Sequence, residues 1–302
     1  MIKMKAISDP LISVCSLTYN HAAFLNKMLD SFFEQRTTFP MEIIIHDDAS
    51  TDETQKLLQS FNMATSVPTK ILYEEKNQFS QGVNIAFDII LPHVKGKYAA
   101  ICEGDDWWIS PNKLQRQISF MEAHPNCVLT VHNGIKVNAQ TGESSRVDPF
   151  GFDHFLSEEE MYFSFMNNPP TASFVIRVDA LRNPPDFLRR APVFDDAVRL
   201  YCYEQGDVYY FHDLFSGRYF RHDGSWTRML ERDTQLFQNY TVRLLEYYHE
   251  LDVYTNGRHA GVIQAACRKI GKRFYYTAGD ETSNPIVQKI CYLAGIKPEA
   301  IL

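Results

Sequence analysis

The 302-residue sequence has no long apolar run, no paired-cysteine motif and no excess of basic residues. No run approaches the ~20 apolar residues that a membrane-spanning helix needs, so the sequence predicts a cytoplasmic protein. Peripheral contact with the inner face of a membrane stays open. The formal net charge of -7 argues against a broad nucleic-acid-binding surface.

Six cysteines are scattered without a CxxC pair or the spacing of a zinc site. Cys15, Cys102 and Cys127 lie inside apolar runs, which indicates small buried hydrophobic residues in a reducing compartment. Apolar residues make up 45% and charged residues 22%, which is typical of a globular protein and argues against disorder.

The most informative stretch is KYAAICEGDDWW, which ends at Trp108. Its apolar run indicates a buried strand, and the carboxylates Glu103, Asp105 and Asp106 follow directly. Carboxylates this close repel one another, and a bound cation would hold them together. A solvated acidic turn is the simpler alternative. The adjacent indoles of Trp107 and Trp108 are unusual in such a turn.

Strands and helices alternate along the first half of the chain. Apolar runs predict strands at residues 11–17, 42–46, 71–73 and 98–102, and helical spacing predicts helices at 22–33, 51–61 and 82–91. This alternation means βαβ units and a parallel sheet covered on both sides. The polar residues after three of these strands should therefore meet at one edge, where such sheets bind ligands.

The second half is less regular. NAQTGE predicts a hairpin turn, and FDDAVRLY begins a helix that ends near Gly206. Two strands are expected at 208–212 and 217–220, followed by helical patterns over 231–267 and 286–293.

Five motifs, taken in order, resemble the family 2 nucleotide-sugar glycosyltransferases, which are inverting enzymes with the GT-A fold. They are LTYNHAAFL, IIIHDDASTDET, EGDDWWISPNKLQRQ, FDDAVRLY and YFRHDGSW, and they cover about residues 11–226. The resemblance implies an α/β fold of GT-A type: a Rossmann-like, mostly parallel sheet flanked by helices, with a helical C-terminal extension. The implied catalytic domain is 1–226, with a nucleotide-binding half to about 133 and an acceptor-side half from 134. The extension is 227–302.

The resemblance also implies a divalent cation, Mn2+ or Mg2+, because the diphosphate leaving group needs its charge neutralised. Glu103 and Asp105 stand at the two acidic positions of the family's DxD-type motif. The departure at Glu103 leaves Asp105 and Asp106 as alternative metal ligands, and Asp105 is preferred. His222 matches a histidine that in some relatives helps to bind the metal or the diphosphate, although a lone histidine is commonly structural.

For the donor nucleotide, Asp48 matches a carboxylate that accepts from the uracil imide. The ring of Tyr19 matches a position that can stack on the base, or it covers the sheet edge. The implied donor-binding residues are Thr18, Tyr19, Asn20, Asp48, Glu103 and Asp105.

Inversion needs a general base that deprotonates the acceptor hydroxyl. By resemblance this base is Asp196, with Asp195 as its rival, and either could instead cap the helix. Other acceptor-side residues are implied by a matching loop or by aromatic rings that stack on sugars or pack internally. With Asp195 they are Thr171, Ser173, Trp107 and Trp108.

The implied function is metal-assisted inverting transfer of a hexosyl or N-acetylhexosaminyl group from a UDP-sugar to a sugar or lipid-linked acceptor, in bacterial surface polysaccharide or glycoconjugate synthesis. A non-catalytic nucleotide- or glycan-binding module on the same fold is the alternative. A nucleotidyltransferase would need a glycine-rich phosphate loop after the first strand, which LTYNHAAFL lacks. No nucleic-acid partner is expected, and a homodimer stays open.

Overall fold

The computed structural model describes residues 9–163, 168–220, 222, 225–278 and 285–295. They form two compact units. The sheet unit comprises Met1–Phe155, Pro169–Asn183 and Gly206–Tyr219, and the helical unit comprises Leu156–Asn168, Pro184–Gln205 and Phe220–Leu302. The domain boundary expected after residue 226 stays a prediction, and the helical unit takes in segments on both sides of it.

Within the described residues, ten strands form one sheet. They are β1 (Ile12–Thr18), β2 (Met41–Asp47), β3 (Thr69–Tyr73), β4 (Tyr98–Ile101), β5 (Asp106–Trp108), β6 (Cys127–Asn138), β7 (Ser144–Val147), β8 (His154–Phe155), β9 (Val175–Arg177) and β10 (Asp207–Phe220). The order is β3-β2-β1-β4-β9-β6-β10-β5, with β7 beside β6 and β8 beside β10.

The helices include three in the sheet unit, and the others belong to the helical unit. They are α1 (Ala22–Phe33), α2 (Thr54–Ala64), α3 (Lys113–Ala123), α4 (Glu158–Phe163), α5 (Asp186–Arg189), α6 (Phe194–Gln205), α7 (Trp226–Arg232), α8 (Thr234–Tyr254), α9 (Ala260–Ala278) and α10 (Pro285–Leu293). Among the described helices, none combines the length and the apolar character needed to cross a bilayer.

The parallel part of the sheet places its carboxyl ends at one edge, as the alternation of strands and helices predicts. β1 pairs in parallel with β2 and with β4, and β2 pairs in parallel with β3. Beyond β4, the pairs β4·β9 and β6·β9 are antiparallel. The expected α/β fold of GT-A type is confirmed.

Alternate residues of the parallel strands enter apolar clusters on opposite faces of the sheet. Val14, Ile43 and Ile45 pack with α1 and α2, whereas Cys15 and Ile44 belong to the second cluster. Burial of both faces explains why these strands are continuously apolar. All six cysteines are free and buried, which confirms the burial predicted for Cys15, Cys102 and Cys127.

Two helix predictions need correction. The helix expected over 51–61 is α2, which begins later, at Thr54, and ends at Ala64. The residues before it form a turn in which the Ser50 hydroxyl donates to Asp47 Oδ1 at 2.5 Å. The helix expected over 82–91 is a π-helical turn over Ile85–Ile90 followed by a 3-10 turn.

In the second half of the chain, strands and helices are interrupted at other places than the sequence predicts. The two strands expected between residues 208 and 220 form one continuous strand, β10. The long helical pattern after residue 231 is interrupted at Asp233, whose Oδ1 caps α8 by accepting from Leu236 N at 2.9 Å. It is interrupted again where Asn256 and Gly257 take positive φ angles of 52° and 71°.

Candidate functional site

The turns after β1 and β2 are joined by hydrogen bonds at the carboxyl edge of the sheet. Asn20 N donates to Ser50 Oγ at 2.9 Å, and Thr51 N donates to Asn20 Oδ1 at 2.7 Å. Asn20 takes a φ of 54°, a conformation that asparagine tolerates better than most residues. The side chain predicted to bind the donor therefore also fixes one turn against the other.

Asp47 and Thr18 are fully buried behind this edge. The Thr18 hydroxyl lies 3.1 Å from Asp47 Oδ1, and Gln55 Nε2 donates to Asp47 Oδ2 at 2.7 Å. The Thr18 side chain is thus buried and hydrogen-bonded inside the turn, and its contact with the donor stays a prediction.

Asp48 holds the segment that follows β3. Its Oδ1 accepts from Gln78 N at 2.6 Å, and its Oδ2 accepts from Phe79 N at 3.1 Å. The carboxylate is almost fully buried, whereas the neighbouring Tyr19 side chain is 42% exposed. Of the two residues predicted to contact the base, Tyr19 is thus the open one, and Asp48 shares its oxygens with the backbone.

The acidic turn after β4 lies directly against the turn after β1. Gly104 N donates to Leu17 O at 2.9 Å, and a Cβ at Gly104 would lie 2.4 Å from His21 Nδ1 and 2.8 Å from Thr18 Cγ2. Only glycine allows this approach. The sequence alone did not single out His21, although it directly follows the TYN motif.

This approach brings together two groups that can ligate a metal. A ligand atom of His21 and one of Asp105 lie within 4.8 Å of each other. Glu103 and Asp105 are half-exposed, whereas Asp106 is nearly buried as the first residue of β5. Imidazole nitrogen with carboxylate oxygen is a donor set that suits a divalent transition metal. His222 belongs to the helical unit, and its metal role stays a prediction.

Both indoles of β5 are buried, which favours internal packing, the alternative to stacking on an acceptor sugar. Trp108 is 1% exposed, and its Nε1 donates to Ala172 O at 2.8 Å. Trp107 is 8% exposed and lies flat against Gly217, where a Cβ would come within 2.0 Å of the ring. Lys27 Nζ covers the Trp107 ring at 3.6 Å from its centroid.

Thr171 and Ser173 are also buried, in a 3-10 turn that directly precedes β9. Ser173 N donates to Pro170 O at 2.8 Å, and Gln117 Nε2 donates to Ser173 O at 2.9 Å. The turn supports β5 through Ala172, which accepts from Trp108 Nε1. The acceptor-side role implied for Thr171 and Ser173 stays a prediction.

In the helical unit, Asp195 and Asp196 lie in the first turn of α6. Asp196 Oδ1 accepts from Asn168 Nδ2 and lies 3.4 Å from Arg199 Nη2, and Asp195 Oδ1 accepts from Asp196 N at 2.9 Å. Burial, followed by the charge of Asp195, raises the pKa of Asp196 to about 6, although Arg199 opposes the shift. Both Asp196 contacts use Oδ1.

The family described as "Glycosyl transferase family 2" matches residues 13–181, which is more than half of the chain. The chain belongs to glycosyl transferase family 2. The matched range contains the turns after β1, β2 and β4, and membership confirms the resemblance carried by the sequence motifs.

Several known proteins are similar to this chain over part of their length. An uncharacterized protein of Mycobacterium tuberculosis is 33% identical over 150 residues, 50% of this chain and 42% of the relative. The putative teichuronic acid biosynthesis glycosyltransferase TuaG of Bacillus subtilis is 31% identical over 133 residues, which are 44% of this chain and 50% of TuaG. The UDP-Glc:alpha-D-GlcNAc-diphosphoundecaprenol beta-1,3-glucosyltransferase WfaP of Escherichia coli is 31% identical over 112 residues, which are 37% of this chain and 41% of WfaP. The chain thus spans half or less of the length of these relatives.

Two solved structures share the fold of this family 2 chain. The S. aureus TarS fragment 1-349 in complex with UDP-GlcNAc has a TM-score of 0.56 at 14% identity, and the match covers 96% of this chain and 89% of that fragment. The mannosyltransferase PcManGT from Pyrobaculum calidifontis, in complex with GDP-Man and Mn2+, has a TM-score of 0.56 at 14% identity, and the match covers 94% of this chain and 74% of the PcManGT chain.

Proposed function

We propose that this protein is an inverting glycosyltransferase that moves a sugar from a UDP-sugar to a sugar or lipid-linked acceptor, in the assembly of a surface polysaccharide. The observation that carries the proposal is the approach of His21 to Asp105 at the carboxyl edge of a family 2 sheet. TuaG is named for teichuronic acid biosynthesis and WfaP for an undecaprenol-linked acceptor, which supports the choice of pathway and acceptor.

Asp105 is the first metal ligand in this proposal, His21 is an added one, and Asp106 and His222 are the remaining candidates. A bound Mn2+ or Mg2+ would neutralise the diphosphate of the donor. Imidazole is a ligand of transition metals, whereas Mg2+ prefers oxygen, so participation of His21 favours manganese. PcManGT, which has the same fold, was solved with Mn2+.

For the donor, the exposed Tyr19 ring stacks on the base and Asp48 accepts from the uracil imide while it keeps its bonds to Gln78 and Phe79. Asn20 holds the Tyr19 turn in place, and Glu103 reaches the ribose. WfaP is named for UDP-Glc and TarS was solved with UDP-GlcNAc, which supports uridine as the base.

Asp196 is the proposed general base. Its raised pKa of about 6 brings it close to neutral pH, where a base is most effective. Because Asn168 and Arg199 both contact Oδ1, Oδ2 is the oxygen that accepts the proton of the acceptor hydroxyl. Asp195, the rival, already accepts from the backbone of α6.

The first test is a thermal-shift panel of UDP, GDP, CDP and dTDP, each with and without Mn2+. A ligand that binds only the folded state raises the melting temperature. We expect the largest rise with UDP, and only when Mn2+ is present. No rise with any nucleotide would favour a degenerate module that no longer binds nucleotide, or a site that only the acceptor or a membrane completes.

The base is tested by comparing Asp196→Asn with Asp195→Asn. We expect Asp196→Asn to lower kcat by about 10³-fold or more, because removal of the proton is lost, while the UDP affinity changes by less than about twofold. A larger loss in Asp195→Asn would transfer the role to Asp195. Loss of UDP binding in Asp196→Asn would reject a base at this position.

A further inference from the structure

Two positively charged side chains, Lys136 on β6 and Arg218 on β10, lie side by side in the sheet unit. β6 and β10 are neighbours in the sheet, and Asp207 N donates to Asn126 O at 2.8 Å where both strands begin. Further along both strands, a Cβ at Gly134 would lie 3.5 Å from Ser216 O. The two strands therefore run in the same direction, and Lys136 and Arg218, two residues further on, are neighbours. Both side chains are half-buried. Burial, followed by the charge of Arg218, lowers the pKa of Lys136.

These two cations lack an acidic partner among the residues that the structure describes: no carboxylate oxygen lies within 4.0 Å of either charged group. Asp106 stands directly opposite Arg218 in the β5·β10 pair, yet the two form no ion pair. Other cations of the sheet unit do find partners, such as Arg116, which lies 2.7 Å from Asp213. Two like charges held together and partly removed from water are unfavourable unless an anion joins them.

The pair lies next to the turns already described. The β5·β10 register places Arg218 opposite Asp106, the last residue of the EGDD motif. A Cβ at Gly134 would lie 2.7 Å from Pro170 Cγ, so β6 approaches the 3-10 turn that begins at Thr171. The two cations therefore lie between the acidic turn and the segment that resembles an acceptor-side loop.

We propose that Lys136 and Arg218 form a binding site for a phosphate group, carried by one of the substrates as a phosphate or diphosphate ester. The guanidinium offers two parallel N–H donors that match phosphate oxygens, and the ammonium adds a second charge. Which substrate carries the group rests on the proposed function: it is either the diphosphate of the nucleotide donor or the diphosphate that links an acceptor sugar to its lipid.

The test measures the affinity of inorganic pyrophosphate, geranyl diphosphate, and UDP with Mn2+ by calorimetry. The variant is Lys136→Gln with Arg218→Gln. Its matched control is Lys56→Gln with Arg182→Gln, which removes the same charge from two ion-paired surface residues of the sheet unit. We expect pyrophosphate affinity to fall at least about tenfold in the variant and less than about twofold in the control, with less weakening by salt in the variant.

The other ligands identify the source of the phosphate. A loss for geranyl diphosphate with unchanged UDP binding assigns the site to the acceptor, and the reverse assigns it to the donor. Binding of all three ligands as in the wild type, in a variant that melts like the control, overturns the proposal. If the wild type fails to bind UDP, the proposed function fails, but the pyrophosphate result still decides the role of Lys136 and Arg218.

The conservative pair Lys136→Arg with Arg218→Lys separates charge from packing. It keeps both charges, so we expect it to retain most of the pyrophosphate affinity. A loss as large as in the glutamine variant, with an unchanged melting temperature, would also overturn a site based on charge.

Discussion

The sheet unit has two acidic turns at the same edge, and they use their carboxylates differently. After β2, Asp47 and Asp48 are buried and accept hydrogen bonds from neighbouring side chains and from the backbone. After β4, Glu103 and Asp105 are half-exposed, and Asp105 lies near His21. Carboxylates at the ends of neighbouring strands can thus serve different purposes: the first turn builds the edge, and in the proposed function the second presents charge to a ligand.

The sharpest way to separate the two turns is Asp105→Asn. We expect kcat to fall by about 10³-fold, which corresponds to ~4 kcal/mol, because the amide cannot replace a carboxylate that binds the cation. The free energy of unfolding without ligand should change by less than about 0.5 kcal/mol, since the side chain is half-exposed. Steady-state kinetics and urea denaturation measure the two quantities.

Asp106→Asn is the matched comparison for Asp105. If it lowers Mn2+ affinity more than Asp105→Asn does, the metal ligand has been assigned to the wrong carboxylate. A large loss of stability in Asp105→Asn would mean that the second turn is structural, like the first.

The opposite result is expected for Asp47→Ala. Asp47 Oδ1 accepts from Ser50 Oγ, and Oδ2 accepts from Ser50 N at 3.1 Å and from Gln55 at 2.7 Å. Removing a buried charged acceptor leaves these donors unsatisfied, so we expect a loss of about 3 kcal/mol in the free energy of unfolding. Urea denaturation measures it, with the exposed Asp179→Ala as control. A loss below about 1 kcal/mol would show that the first turn does not depend on this carboxylate.

The sequence was sufficient to predict what short-range patterns control. The parallel edge follows from alternating apolar runs, and α1 begins and ends where the spacing of its apolar residues predicts. The acidic residues after β2 and β4 could be located for the same reason, because a strand's end fixes where the next residues lie.

The sequence was insufficient where a side chain's surroundings come from distant segments. Trp107 is covered because Gly217, about 110 residues later, leaves room for its ring, and Trp108 is buried because Ala172 accepts its N–H. His21 could be recognised only once Gly104 was known to pack against it. An exposed aromatic and a buried one, or a structural histidine and a ligand, look alike in a local pattern.

His46 tests, with a smaller expected effect, how far water is excluded from the turn after β2. It is the residue before Asp47, and its side chain is fully buried. Its Nε2 lies 3.6 Å from Glu74 Oε1 and 4.0 Å from Asp48 Oδ1. Burial lowers the pKa of His46 from its usual 6.5, against the opposing effect of the nearby carboxylates.

A lowered histidine pKa gives a definite sign to the pH dependence of stability. Below pH 6.5, His46 takes up a proton in the unfolded chain but stays neutral in the folded chain. The free energy of unfolding therefore decreases as the pH is lowered, by up to about 1.4 kcal/mol per pH unit, until the pH reaches the pKa of His46 in the folded chain. Above that range this contribution is constant. We expect His46→Leu to be less sensitive to acid than the wild type between pH 7 and 5, whereas His124→Gln, at an exposed position after α3, should follow the wild type. Parallel urea titrations cancel the protonation of all other groups. If His46→Leu and the wild type lose stability equally, the imidazole is charged within the fold, and the first turn is more accessible to water than its burial indicates.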